Sequence, residues 1–332
     1  MRKRGRLVQS RLPLTLACAD MEIIRPLKAG LVRPEGIDLT VVTNMDSIER
    51  HSRFFQKGEF DVAEISLSSF MIARDRGFPA TAIPVFMSRR FGHGFIYVNT
   101  SKGIRTPADL IGRKIGVKQL QFTVNVLIRG ILEHDYGVPQ TSIEWFSELA
   151  ELLEFAPPPS MKINRLSSGQ SVEAMLAAGD IYAMMHPDRI EPIRKKDPRV
   201  AQLFPNFKDE EIAYFRKTGM FPIMHLMAIR QEIVESHPWV AVNLFNAFNE
   251  AKRIAMKRME SPRQVPLVWY RAAWEEQEEI IGPDPWEYGG SERNVRNVNT
   301  IAGYAHEQGL TRQQFTFDKL FAQFEGGLQL GR

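Results

Sequence analysis

Apolar and polar positions follow two rhythms along the chain. In the first hundred residues, short apolar runs bounded by turns are interleaved with segments whose apolar residues recur every three or four positions. Leu14–Ala17, Ile37–Val42, Phe60–Ile65, Ala82–Phe86 and Phe95–Val98 read as strands. Ile23–Ala29, Asp46–Gln56 and Ser68–Arg76 read as helices, with Lys57-Gly58 and Gly77 stopping the last two. Strands alternating with helices predict a mostly parallel sheet.

A second unit opens near Asn99. Thr106-Pro107-Ala108-Asp109 has the composition of a helix start, with a proline and an acid in the first turn. Lys114–Val117 reads as a strand, and Val124, Leu127, Ile128, Ile131 and Leu132 share one face of the helix after it. Pro157-Pro158-Pro159 is a stiff loop, Val172–Ala178 a helix, and Ile181–Met185 a buried strand. Past Pro222 a strand returns at Met224–Ile229. Helices follow at Trp239–Met259, Trp269–Ile281 and Val295–Gln308. The pattern predicts an α/β protein of two lobes, residues 12–98 plus 222–332 and residues 99–221, with C-terminal helices packed on the first. Open α/β sheets bind ligands beyond the carboxyl ends of their strands, here in a cleft between lobes.

Composition changes this picture little. The chain has 332 residues, 44% hydrophobic and 25% charged, which excludes a disordered or disulfide-stapled protein. The net charge of +4 invites a nucleic-acid reading, but Arg2, Lys3, Arg4, Arg6 and Arg11 crowd the first eleven residues. With these set aside, 38 basic residues face 39 acidic ones, so residues 1–11 read as a basic, flexible tail rather than a nucleic-acid or membrane contact. Cys18 is the only cysteine, so export would bring no internal disulfide. The apolar run at Leu12–Ala19 is short, broken by Pro13, and runs into Asp20, unlike a secretory leader. A cytoplasmic protein is expected.

The strand ends concentrate the chemistry. Asp20 follows the first strand; Glu64, Ser66 and Ser68 surround the end of the third; Gln121 and Thr123 open the long helix; His186 follows Met185. Small hydroxyls and free N–H groups at helix starts suit anions, although Ser68 and Thr123 read equally as helix caps. Ser88-Arg89-Arg90-Phe91-Gly92-His93-Gly94 is the most site-like segment, with cations for a carboxylate clamp and an imidazole. His225 sits in the apolar run Phe221–Met227, at the expected return crossover. His51, His134, His237 and His306 read as surface or capping residues. Phosphate-loop, dinucleotide, His-Glu-x-x-His and Gly-x-Ser-x-Gly motifs are absent. A divalent metal held by His93, His225 and Glu64 or Asp20 remains an alternative, because non-local ligands leave no spacing pattern.

Longer segments carry a resemblance. Phe60-Asp61-Val62-Ala63-Glu64-Ile65-Ser66-Leu67-Ser68-Ser69-Phe70, Ala82-Ile83-Pro84-Val85-Phe86, Tyr97-Val98-Asn99-Thr100, Thr218–His225, His237–Ala241 and Glu307–Leu310 resemble the 4,5-dihydroxyphthalate decarboxylase family. The resemblance runs from about Leu14 over nearly the whole chain. It implies the type 2 periplasmic-binding-protein-like fold, two lobes joined by two crossovers. One departure stands out: where the resemblance leads one to expect Arg-x-Phe-Arg-His-Ser, this chain has Arg89-Arg90-Phe91-Gly92-His93-Gly94. If the missing arginine held a carboxylate, the substrate would differ.

The resemblance implies non-oxidative loss of CO2 from a hydroxylated aromatic acid. Protonation of the carboxyl-bearing ring carbon, with a phenol as electron sink, would give a dienone that expels CO2. The expected roles are His93 or His225 as acid, Glu64 or Asp20 near the phenol, Arg89 and Arg90 as clamps, and Ser66, Ser68, Gln121, Thr123 and His186 against the substrate. No cofactor is expected. The expected partner is a small aromatic carboxylate, with a homo-oligomer left open. The rival reading is a solute-binding protein that passes an aromatic carboxylate to an ABC-type importer.

Overall fold

A computed structural model describes residues 11–322, so the basic tail lies outside the described residues except for Arg11. Eleven strands are described: β1 (Leu12–Ala17), β2 (Ile37–Val42), β3 (Val62–Ser66), β4 (Ala80–Ile83), β5 (Ile96–Asn99), β6 (Lys114–Val117), β7 (Glu144–Ser147), β8 (Lys162–Arg165), β9 (Ala183–Met185), β10 (Val200–Gln202) and β11 (His225–Arg230). They form one sheet in the order β2-β1-β3-β11-β4 and another in the order β10-β5-β9-β6-β7-β8. This is the two-lobed α/β, periplasmic-binding-protein-like architecture.

The sequence explains which strands are central. Every residue of β3 and β9 is buried, as expected of strands covered by helices on both faces. β8, with Lys162 and Arg165 exposed, ends its sheet. In the first sheet β1 runs parallel to β2 and β3, while β11 runs antiparallel between β3 and β4. Register pairs His225 with Ser66 and Met227 with Glu64. His225 and Glu64 are thus diagonal neighbours on one face of the sheet, within reach of each other's side chains.

The chain passes between the sheets twice, at 84–95 and at 203–224. β5, divided by the boundary expected between residues 98 and 99, pairs wholly within the second sheet. The two passages touch: Arg89 bridges to Ile223, and the Arg90 N–H donates to the Pro222 carbonyl over 3.0 Å.

The helix Trp239–Met259 packs on the first lobe, against residues Glu22–Lys28. The helix Glu292–Glu307 does more than the sequence leads one to expect. It contacts Leu67–Asp75 and also Thr123–Tyr136, which opens from the second sheet. At that contact Gly130 is required, because a Cβ there would lie 2.2 Å from the Tyr304 ring. Buried Arg129 donates to the Gln308 side chain over 2.6 and 3.0 Å, and Gln308 donates to the Val126 carbonyl over 2.9 Å.

Candidate active site

A cleft of about 790 Å³ opens where the carboxyl ends of β1 and β3 face the start of Thr123–Tyr136 and the loop after β7. Both lobes line it. Glu64 is 1% exposed on its wall, and all its carboxylate contacts come from the chain itself. Oε1 accepts from His225 Nδ1 over 2.7 Å. Oε2 accepts from the Ala19 N–H over 2.7 Å and lies 3.3 Å from Arg50 Nη2. Arg50, equally buried, also donates through Nε to the Glu64 carbonyl over 2.9 Å. Burial alone would raise the Glu64 carboxyl. The hydrogen bond and charge of His225, the charge of Arg50 and the Ala19 N–H outweigh it and lower the pKa to about 2.

Glu64 is therefore ionised at neutral pH, and an ionised carboxylate only accepts. His225 Nδ1 must carry the proton of their shared hydrogen bond. The imidazole lines the cleft with its side chain 20% exposed, so Nε2 is the nitrogen left for a ligand. Glu64, expected at the phenol, instead orients the imidazole.

Arg50 and His51 come from the helix Ser47–Ser52, whose start is capped by Asp46 accepting the Glu49 N–H over 2.8 Å. The chain then continues through a π-helical turn, Arg53–Lys57, that brings Phe54 into the core. Residues 50 and 51 precede Phe54 by four and three positions and share its buried face. His51 lines the cleft, 7% exposed, with its ring 5.4 Å from that of His225 at 77°. Its Nε2 is buried without a hydrogen-bond partner. Burial, then the charges of His225 and Arg50, press its pKa well below the ordinary histidine value, so it is neutral. On sequence alone His51 reads as a surface or capping position, and Arg50 as an ordinary polar position of its helix.

The hydroxyls form a seam between lobes. Ser66 Oγ and Thr123 Oγ1 lie 2.7 Å apart, and Ser68 Oγ lies 2.9 Å from Thr123 Oγ1. The Ser68 N–H donates to Thr123 Oγ1 over 3.1 Å, and its hydroxyl donates to the Gln121 carbonyl. Ser66 and Thr123 line the cleft; Ser68 and Gln121, both fully buried, do not. Glu151, overlooked in the sequence, lines the opposite wall and accepts from the Leu120 and Gln121 N–H groups over 2.7 and 3.2 Å. Burial raises its pKa against those hydrogen bonds.

The remaining expected residues separate. Asp20 lines the cleft at its exposed rim, 2.9 Å from Lys28 Nζ. Arg90 lines it too, donating to the Pro187 carbonyl and lying 3.3 Å from Asp188 Oδ1. Arg89 does not. Its buried guanidinium donates to the Phe221 and Glu287 carbonyls over 2.9 and 2.7 Å and to Asn294 Oδ1 over 2.6 Å, tying the crossovers to the C-terminal region. Burial lowers its pKa to about 9. His186 Nδ1 accepts from the Asp188 N–H over 3.0 Å and closes a local turn outside the cleft.

His93 is the clearest correction. It is 3% exposed and packs against Tyr136, Phe204 and Tyr214, with ring centroids 5.3–6.3 Å away, outside the cleft. Burial lowers its pKa to about 4. It does not join His225 and Glu64 around a shared metal position, and no group of three or more His, Cys, Asp or Glu among the described residues is placed to hold an ion. The two glycines beside it are packing positions. A Cβ at Gly92 would lie 2.8 Å from Ile128, and one at Gly94 2.9 Å from Phe207. The departure from Arg-x-Phe-Arg-His-Ser thus falls outside the cleft lining.

Comparison with known proteins fits this geometry. Residues 27–145 match the family model described as NMT1/THI5 like. In solved structures, a periplasmic aliphatic sulphonate binding protein from Escherichia coli is similar in fold, with a TM-score of 0.57 at 14% identity over 97% of each chain. A sulfonate-binding protein from Methylobacillus flagellatus gives 0.60 at 14% identity, over 95% of this chain and 92% of its own. These likenesses show the fold. Among the described residues no helix is long and apolar enough to cross a membrane. In sequence, the chain is 31% identical to a 4,5-dihydroxyphthalate decarboxylase of Comamonas testosteroni over 321 residues, 94% of this chain and 97% of the relative. It is also 31% identical to one of Pseudomonas putida over 208 residues, 60% of this chain and 80% of the relative. The chain belongs to the 4,5-dihydroxyphthalate decarboxylase family, a family of carboxy-lyases.

Proposed function

We propose that the cleft removes CO2, without oxidation, from a hydroxylated benzene carboxylate resembling 4,5-dihydroxyphthalate. The observation that carries this reading is the Glu64–His225 pair. A fully buried, ionised carboxylate fixes one imidazole nitrogen and leaves the other to the cleft. That arrangement suits a proton donor, because the carboxylate stabilises positive charge on the ring until the proton leaves.

His225 Nε2–H delivers its proton to the ring carbon that bears the carboxylate. Ring electrons, pushed by a phenolic oxygen para to that carbon, form the new C–H bond and leave a dienone. The C–CO2 bond then breaks, its electron pair restores aromaticity, and CO2 departs. His225 recovers a proton from water, so each turnover consumes one proton. The phenol is the electron sink, and the step calls for no redox or carbonyl cofactor. Arg50 and Arg90 serve as cations for substrate carboxylates. Arg50 lines the cleft, and its Nη1 takes part in neither contact with Glu64. Ser66 and Thr123 orient the substrate across the seam.

Purified protein incubated with 4,5-dihydroxyphthalate and a panel of hydroxybenzoates should release stoichiometric CO2 and the corresponding phenol. The fold also serves solute-binding proteins, which favours a second reading: a receptor that closes on the same acids. Tight binding without CO2 release across the panel would establish that reading and remove the first.

A further inference from the structure

The proposed reaction needs a second proton-handling group. While His225 gives a proton to the ring, the phenolic O–H must lose one. Neither residue expected at the phenol is available to it: both Glu64 oxygens are held by chain groups, and Asp20 sits at the rim beside Lys28. His51 is differently placed. It is 7% exposed, lines the cleft, stands edge-on 5.4 Å from His225, and has a buried ring nitrogen without a partner.

We infer that His51 is a catalytic residue of this cleft, the imidazole that accepts the phenolic proton. The inference rests on the decarboxylase reading and adds a role to it. Its neighbours keep it neutral: burial first, then the adjacent His225 and Arg50, push its pKa well below the ordinary value. A neutral imidazole presents one donor and one acceptor nitrogen, and a ring on the cleft wall can offer a substrate hydroxyl the acceptor. The edge-on pair divides the work. His225 has the Glu64 carboxylate behind it; burial and Arg50 make His51 a weak base, which takes the phenolic proton as protonation of the ring makes that O–H strongly acidic, and gives it back readily.

The protons and electrons balance. The phenolic O–H bond breaks, its proton moves to His51, and its electron pair becomes the dienone C=O as the ring accepts the proton of His225. When the C–CO2 bond breaks, its electrons re-form the aromatic ring, the C=O pair returns to oxygen, and His51 gives the proton back.

The test compares the wild-type enzyme with His51→Gln and His51→Asn on 4,5-dihydroxyphthalate and on its 3-fluoro analogue, whose adjacent phenol is more acidic. If His51 takes the phenolic proton, both variants lose about 10²-fold in kcat on the parent substrate with KM changed less than about threefold. The loss shrinks by about tenfold on the fluorinated substrate, because a phenol that ionises more readily depends less on a base. The variant's ratio of rates on two substrates is independent of how much of the preparation is folded. An equal loss on both substrates, or a loss below about threefold, overturns the assignment while leaving His225 in place. A wild-type enzyme that releases no CO2 from either substrate overturns the decarboxylase reading, and this inference with it.

Discussion

Two histidines near the passages between sheets, His225 and His93, occupy opposite surroundings. His93 lies in the first passage between sheets and is buried, while His225 directly follows the second and is partly exposed on the cleft wall. Their surroundings differ in kind. His225 stands at the start of β11, diagonal to a carboxylate, beside a second imidazole and a buried guanidinium, on the cleft wall. His93 stands in a box of three aromatic rings, with the charge of Asp135 as its only resolved electrostatic support. The first environment gives the imidazole a carboxylate partner and a place on the cleft wall; the second gives it neither, and burial there holds His93 below the ordinary histidine value. Burial alone therefore says little about a histidine's role; the charges buried with it decide.

Substitutions at the two histidines should have opposite consequences for turnover. His225→Gln should lower kcat by about 10³-fold with little change in thermal stability. His93→Phe, which keeps an aromatic shape in an aromatic box, should leave kcat within about threefold. CO2-release kinetics and thermal melts on both variants measure this directly. A large kcat loss for His93→Phe with normal stability would reverse the assignment of roles.

Next in size is Glu64→Gln. The amide keeps the shape but removes the charge facing Arg50, and breaking one side of a buried ion pair costs about 3–5 kcal/mol. The melting temperature should fall well below that of His225→Gln, and kcat should drop as the imidazole loses its charged partner. A variant as stable as wild type would mean the pair is not buried as described.

The contrast also shows what was legible beforehand. The two-lobed α/β plan could be read from the alternation of strands and helices, and Trp239–Met259 and Lys114–Val117 appear at the bounds their periodicity predicts. The short strands β7, β8 and β10 and the polar helix Phe207–Thr218 carry weak patterns, and they emerge only through pairing and packing. At the site, Glu64, His225, Ser66 and Thr123 were legible because strand ends point at the cleft. Arg50 and His51 were not, since on their own helix they look like ordinary polar positions. The available clue was their spacing of four and three from Phe54. Ser88–Gly94 misled in the opposite direction. Its cations and glycines are rich in chemistry, yet Arg89 satisfies buried carbonyls and the glycines make room for Ile128 and Phe207.

The adjacent arginines divide as the two histidines do, with smaller stakes. Arg90→Gln should raise KM by about tenfold and leave stability within about 0.5 kcal/mol, because its side chain is partly exposed at the cleft. Arg89→Gln should do the reverse, costing about 1–3 kcal/mol by leaving buried acceptors unpaired, with KM unchanged. Steady-state kinetics beside denaturant melts separate the two. Equal KM effects would return Arg89 to the cleft.

The surroundings of His93 should also respond to pH. Glu211 accepts the Gly94 N–H over 3.0 Å, one residue from His93, and burial raises its pKa from 4.5 to about 7. His93 moves oppositely, from 6.5 to about 4. Between pH 4 and 6.5 the unfolded chain holds more protons at His93 than the folded one, so this residue makes stability rise with pH. Between pH 4.5 and 7 the folded chain holds more protons at Glu211, so this residue makes stability fall as pH rises. The opposing slopes largely cancel in the wild type across their shared window. Glu211→Gln, which can still accept the Gly94 N–H, should unmask the His93 slope, so that stability increases by about 1–3 kcal/mol from pH 4.5 to 6.5 relative to wild type. His93→Phe should show the opposite relative slope. Denaturant melts at four or five pH values would resolve both. Parallel pH profiles for the two variants would show that these groups do not titrate in the packed interior, and the aromatic box would then be open to water.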